Sequence, residues 1–361
     1  MLNTNNDNTN NDNDNKHKYA EVFTPIHLVK EIIDLISLDS KRIYEPGVGK
    51  GAFLNEIKKH NIISYEGCDI NLTEKWTEPN IHISEGDFFN QILKTYDLII
   101  GNPPFYNNGF KGPPCSKTRK GTTIWPQIVK KCFEHLETNG ILAMILPCIW
   151  LKPDKEKIYD LFTKHQILYL RVYSCVESNK IFGYKAQTPC CYVIVQKCPT
   201  YKPMQIYDNG FVPFVLKKGY CIPTSNIKMI QSFVPTLKIN PIKIAYIKKI
   251  NPLIIKNPIN NFPIITTYKE APYGFESMEP GKYQGVPKLI MAHKTKPLLM
   301  LDISGTYGLY GRDKYIFLGT NDNLYEQYEY LSQPIVQTII KSFTIRMNFV
   351  EKDIFNYVSI I

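Results

Sequence analysis

Along the first 200 residues the apolar positions alternate between short continuous runs and stripes at three-to-four spacing, the marks of strands and amphipathic helices. "FTPIHLVKEIIDLIS" sets Val29, Ile32, Ile33 and Ile36 on one helical face, with Thr24 as the expected N-cap and Pro25 at the first helical position. "RIY" then leads, as a strand edge, into "EPGVGKGAFLNEIKKH", where Gly47, Gly49 and Gly51 precede a helix burying Phe53, Leu54 and Ile57. "ISYEGCDI", "NIHIS", "YDLII" and "GILAMILP" predict further strands. Between the last two, "WPQIVKKCFEHLETNG" predicts a helix with Ile128, Val129, Cys132, Phe133 and Leu136 inward and a stop at Gly140. "ILYLRVYS" and "PCCYVIVQK" add two β-rich runs. Strands alternating with helices indicate a mainly parallel α/β sheet covered on both faces.

One strand ends abruptly, in "YDLIIGNPPFYNNGF". Proline lacks an N–H and fixes φ, and the residue before it is driven out of the helical region. Asn102-Pro103-Pro104-Phe105 is therefore a stiff, extended loop. It sits at the carboxyl end of a strand, the edge of an open α/β sheet where ligands bind.

Three other strand ends carry candidate chemistry. Glu45 to Gly51 is a glycine-rich turn that lets backbone approach a ligand; no Gly-Lys-Ser/Thr follows, so it is not a P-loop. Asp69 closes the next strand, where a carboxylate can accept both hydroxyls of a ribose. Asp87 in "EGDFF" can accept from an adenine amino group while Phe88 packs on the ring. Singly, each also reads as an ordinary turn, a solvated acid or a core aromatic. Together and in this order on four consecutive strands, they read as one site.

Composition narrows the setting. With 361 residues, 43% of them hydrophobic, the chain has room for about two domains. Residues 1–15 are nearly all Asn, Asp and Thr and are expected to be disordered. The opening lacks the basic and apolar regions of a signal peptide and no apolar run reaches membrane-spanning length, so a soluble intracellular protein is expected. Nine cysteines without a C-x-x-C pair suggest reduced core thiols rather than disulfides or zinc. The net charge of +10 is uneven: residues 201–361 hold an excess of eight. In the front half, Leu98 to Phe133 contains no acid but carries Lys111, Lys117, Arg119, Lys120, Lys130 and Lys131. A polyanion would be drawn to both regions, although lysine is plentiful throughout.

In motif order, "EVFTP", "EPGVGKGAF", "CDI", "GDFF", "GNPPF" and "IFGYKAQTPCCYVIVQK" resemble the gamma class (TaqI-like) of N6-adenine DNA methyltransferases, from Glu21 to about Lys197. The resemblance implies a Rossmann-like methyltransferase sheet, mainly parallel with one antiparallel strand, in residues 16–200, and an α+β target-recognition domain in 201–361. It implies S-adenosylmethionine as cofactor, with Thr24 and Glu45 near its methionine part, Asp69 at the ribose, and Asp87 with Phe88 at the adenine. The turn residues Pro46, Gly47 and Gly49, with Ile70, complete that set. Asn102 and Pro103 would hold the target amine, supported by Pro104, with Phe105 and Phe182 contacting a flipped base. Lys111, Lys117, Arg119 and Lys120 are expected on the backbone of double-stranded DNA, and the resemblance allows a separate cognate restriction endonuclease as a companion. No metal and no membrane are expected.

Other classes share parts of this pattern. Asn-Pro-Pro-aromatic loops also serve methyl transfer to cytosine N4, ribosomal RNA or a glutamine amide, and a non-catalytic DNA-binding descendant would keep the same fold. "DKEK" at Asp154 superficially resembles a nuclease triad, but its acids sit too close together. A large basic second half favours a nucleic acid over a protein substrate.

Overall fold

A computed structural model of the chain describes residues 22–107, 122–183, 188–243, 262–268, 272–277, 279–293, 297–310, 314–343, 345–346 and 349–360. The first helix, α1 (Ile26–Ile33), buries Leu28, Val29, Ile32 and Ile33, each side chain contributing roughly 1.5–3 kcal/mol of transfer free energy. It begins one residue later than its sequence pattern predicts. Pro25 is the N-cap, in extended backbone, and no side chain caps the helix. The hydroxyl of Thr24 is engaged elsewhere.

The chain continues through β1 (Arg42–Pro46), α2 (Ala52–Ile57), β2 (Ser64–Asp69), β3 (Ile81–Glu85), β4 (Tyr96–Gly101), α3 (Trp125–Glu134), β5 (Leu136–Pro147), α4 (Ile158–Thr163), β6 (Gln166–Tyr173), α5 (Cys175–Ile181), β7 (Cys190–Gln196), β8 (Met204–Tyr207) and β9 (Phe211–Phe214). These strands form one sheet in the order β3-β2-β1-β4-β5-β7-β6-β8-β9. Neighbours from β3 to β5 pair in parallel, while β7 runs antiparallel to both β5 and β6. This is a mainly parallel α/β sheet with a reversed strand, as the sequence leads one to expect. Strands β8 and β9 extend it: β8 pairs parallel to β6 and β9 antiparallel to β8, so residues 204–214 belong to this sheet and not to the second half. Helix α3 stops at Glu134 instead of Gly140, because Tyr96 N donates to His135 O at 2.9 Å and Leu136 already pairs with Tyr96 in the sheet.

Central strands are apolar on both faces, as a covered sheet demands; in β7 the first six of seven residues are buried. Arg42 at the start of β1 clasps Asp97 on β4 through two side-chain hydrogen bonds of 3.0 Å. That clasp fixes the alignment of the two strands whose far ends matter most.

By compactness the chain divides into Met1–Leu216 and Lys217–Ile361. The second unit is α+β. It contains α6 (Ile227–Ser232), β10 (Ile242–Lys243), β11 (Phe262–Tyr268), β12 (Pro272–Ser277), β13 (Lys288–Ala292), β14 (Leu299–Asp302), β15 (Gly308–Leu309), β16 (Lys314–Leu318), α7 (Asn321–Ser332) and α8 (Pro334–Lys341). Its strands form a four-stranded antiparallel sheet, β10-β16-β13-β14, and a three-stranded sheet, β12-β11-β15. Among the described residues no helix is long and apolar enough to cross a membrane, and the eight cysteines are free thiols.

Candidate functional site

The strand order reverses at β1: β2 and β3 lie to one side, β4 and β5 to the other. At such a switch point the loops leaving the carboxyl ends of neighbouring strands diverge and leave a crevice. Here those loops are the glycine turn after β1 and the Asn-Pro-Pro loop after β4. They meet: a Cβ on Gly47 would lie 3.4 Å from Cδ of Pro104. The segment entering α1 closes the third side, with Lys50 Nζ 4.7 Å from the ring centroid of Phe23.

The glycine turn is held by its neighbours rather than by its own side chains. Gly47 and Val48 donate to the Cys68 carbonyl at 3.0 Å, and Gly49 N donates to Asp69 Oδ2 at 2.7 Å. Gly47 and Gly49 have φ of 84° and 54°, a region costly for residues with a Cβ. A Cβ at Gly49 would meet nothing within 4 Å, so bare backbone forms the surface there. This suits the expected cofactor, since only a chain without side chains lets main-chain groups reach a ligand closely.

Asp69 has a bracing role that the sequence did not reveal. Its Oδ1 accepts from Asn71 N at 3.0 Å while Oδ2 holds the turn. Each carboxylate oxygen retains a second lone pair, so hydroxyls could still bind there. Ile70 beside it is 56% exposed.

Glu45 lies deeper than expected. It is 2% exposed, with the Tyr65 hydroxyl donating to Oε2. Burial pushes its carboxyl well above the usual carboxylate range; the Tyr65 bond opposes this and the nearby Asp69 charge adds to it. The group lies beneath the turn, with Pro46 also buried. Tyr65 was missed because its partner lies 20 positions away on another strand.

At the end of β3, Asp87 caps a short turn, its Oδ1 accepting from Phe89 N at 2.9 Å. Phe88 is only 8% exposed, packed 6.2 Å from Tyr44 with Lys131 Nζ 4.9 Å over its ring. The free ring on this rim is Phe89, 41% exposed. Of the two adjacent rings, Phe88 is the more buried. Lys131 is likewise not a free cation: it donates to the carbonyls of Phe88, Phe89 and Gln91 at 2.9, 3.1 and 2.9 Å.

Asn102 is the best-defined polar group in the crevice. Its Nδ2 donates to Thr24 Oγ1 at 3.2 Å and to the Val22 carbonyl at 3.4 Å. A carbonyl can only accept, so the amide face toward Val22 must be the NH₂. The side-chain oxygen is thereby turned away from both partners. Pro103 is buried, Pro104 exposed and Phe105 half-buried against the core, its carbonyl accepting from Ile124 N at 3.1 Å. Phe182 sits within that core at 6% exposure. Lys111, Lys117, Arg119 and Lys120 lie outside the described residues.

Residues 28–182, from α1 to just past α5, match the family described as Eco57I restriction-modification methylase. The modification methylase CviBIII of Paramecium bursaria Chlorella virus NC1A is 30% identical over 116 residues, 29% of this chain and 30% of that one. The type II methyltransferase M.CvrRI of Paramecium bursaria Chlorella virus XZ-6E is 32% identical over 142 residues, 35% of each chain. M.HincII of Haemophilus influenzae is 27% identical over 143 residues, 36% of this chain and 28% of that one. The chain spans about a third of the length of these curated relatives.

Proposed function

We propose that this protein transfers a methyl group from S-adenosylmethionine to the exocyclic N6 of an adenine flipped out of duplex DNA. The observation that carries this reading is the Asn102 amide, fixed with its NH₂ toward Thr24 and Val22 and its oxygen free to accept, on a proline-stiffened loop at the switch point. The matches to DNA-modifying methylases over residues 28–182 support the same reading.

When bound, S-adenosylmethionine supplies a sulfonium-activated methyl group. The glycine turn and Asp69 hold this cofactor through main-chain groups and the remaining carboxylate lone pairs. Adenine N6 is a weak nucleophile because its lone pair is delocalised into the ring. Asn102 Oδ1 and the Pro103 carbonyl each accept one N6 hydrogen, which draws the nitrogen toward a pyramidal geometry and frees the lone pair. The acceptors are positioned before the reaction and need not reorganise. Phe105 supplies a ring for the flipped base, a contact type worth about 1–3 kcal/mol, which offsets part of the unstacking. The basic segment after Phe105 and the second unit, with eight of the ten net positive charges, bind phosphates and read the target.

Incubation with methyl-labelled S-adenosylmethionine and, separately, duplex DNA, structured RNA and a mixture of proteins tests the substrate class. Label is expected in duplex DNA alone. Label in RNA or protein with none in DNA refutes the proposal.

A further inference from the structure

We infer that Thr24 is a positioning residue for Asn102, and that the segment entering α1 exists partly to set which way the Asn102 amide points. This rests on the reading of Asn102 as the acceptor for the target amine. Three observations converge. Thr24 Oγ1 and the Val22 carbonyl both lie within hydrogen-bond distance of Asn102 Nδ2. Thr24 has the residue type and place of an N-cap, yet no side chain caps α1 and Pro25 takes that position. The partners are 78 and 80 positions apart, so the contact is tertiary and not a consequence of local chain geometry.

The chemistry gives the contact its purpose. An asparagine amide has a donor end and an acceptor end of nearly the same shape, and a half-turn about its last bond exchanges them. With the ends exchanged, NH₂ would face the N6 hydrogens, donor against donor, and the pull on the nitrogen would be lost. Val22 alone penalises the exchanged state, because its carbonyl would face an oxygen. Thr24 by itself does not, since a hydroxyl can either accept or donate. Its hydroxyl bonds the amide in place while the Val22 carbonyl sets the direction, and in the correct state its own proton remains available to donate into the crevice. Thr24 thus joins the amino-terminal segment to the catalytic loop, a different role from holding the cofactor's methionine part.

Thr24→Val keeps the shape and removes the hydroxyl; Thr24→Ser keeps the hydroxyl. At saturating S-adenosylmethionine, Thr24→Val should slow single-turnover methylation about tenfold, the order expected for one hydrogen bond, and Thr24→Ser should restore most of it. In an Asn102→Ala background, Thr24→Val should cost nothing more, because the group it positions is gone. A Thr24→Val variant that loses only cofactor affinity, or that slows Asn102→Ala by the same factor as wild type, overturns the inference. A readout independent of activity separates this from the assigned reaction. The Asn102 side-chain amide protons, identified in NMR spectra by their loss in Asn102→Ala, should exchange with solvent faster in Thr24→Val than in wild type or Thr24→Ser. Unchanged exchange overturns the positioning role whatever the substrate. Altered exchange in a protein that methylates no adenine would instead sink only the assigned reaction.

Discussion

Each unit of the protein buries an ionisable pair, and the two pairs are treated in opposite ways. In the second unit Lys288 and Asp302 are 0% and 4% exposed and joined at 2.6 Å. Lys288 also donates to the carbonyls of Tyr283 and Val286 at 3.1 Å, which uses all three of its protons. Asp302 accepts in turn from Thr306 N at 2.8 Å and Tyr307 N at 3.1 Å. In the first unit Glu45 is as deeply buried, but its partner is one neutral hydroxyl, that of Tyr65. Among the described residues no cation pairs with it, and burial raises its pKa. The fully answered pair pins β13 and β14 and the turn after them. The singly bonded acid lies beneath the glycine turn, where the backbone is bare. One buried group is charged and fully bonded; the other has a single bond and a raised pKa.

That contrast can be broken most severely at Lys288. Replacing one member of a buried pair leaves the other charged and unpaired, typically at a cost of about 3–5 kcal/mol. Lys288→Met should lower the urea midpoint for the second unit by a corresponding amount while the first unit still binds S-adenosylmethionine. A loss under about 1 kcal/mol would mean that Asp302 finds another partner and that the pair is not architectural.

Asn102 should behave in the reverse sense, with the cost falling on rate and not on stability. Removing one preorganised acceptor typically raises a barrier by about 2.7–4 kcal/mol, two to three orders of magnitude in rate. Asn102→Ala should lose that much in methyl transfer while cofactor affinity by calorimetry stays near wild type. An undiminished rate would remove the loop from the chemistry.

Glu45 gives the smallest and most diagnostic effect. Its folded-state pKa is raised, so the folded protein holds that proton more tightly than the unfolded chain. The stabilisation is complete below the unfolded carboxylate value of about 4.3 and is lost as pH rises through the folded value. Glu45→Gln keeps the shape and an acceptor for Tyr65 but cannot ionise. Its stability relative to wild type should therefore increase with rising pH, measured by thermal unfolding in a series of buffers. Parallel curves for the two proteins would mean that the Glu45 pKa is not raised in the folded protein.

The sequence disclosed the sheet far better than the side-chain orientations at its rim. Strands β1, β4, β5 and β7 are visible as apolar runs because central strands are buried on both faces, and the glycine turn and proline loop are visible because Gly and Pro constrain backbone directly. Strands β8 and β9 read from sequence as part of the second half because they are four residues long and follow a proline-rich break. Helix α3 was extended to Gly140 because Leu136 continues its apolar spacing, whereas the pairing with Tyr96 that ends it is tertiary. Phe88 and Phe89 are adjacent aromatics, and which one faces the core depends on a three-residue turn and on Lys131. Phe182 has no pattern that distinguishes a core ring from a platform. Thr24 read as a cap because its residue type and position are those of a cap, and only the folded chain brings Asn102 to it.

The most direct test of the central claim is to digest the methylated duplex to nucleosides and find which one carries the label. The proposed function predicts N6-methyldeoxyadenosine alone, at one sequence context. Label in N4-methyldeoxycytidine or in a ring-carbon-methylated base would contradict it.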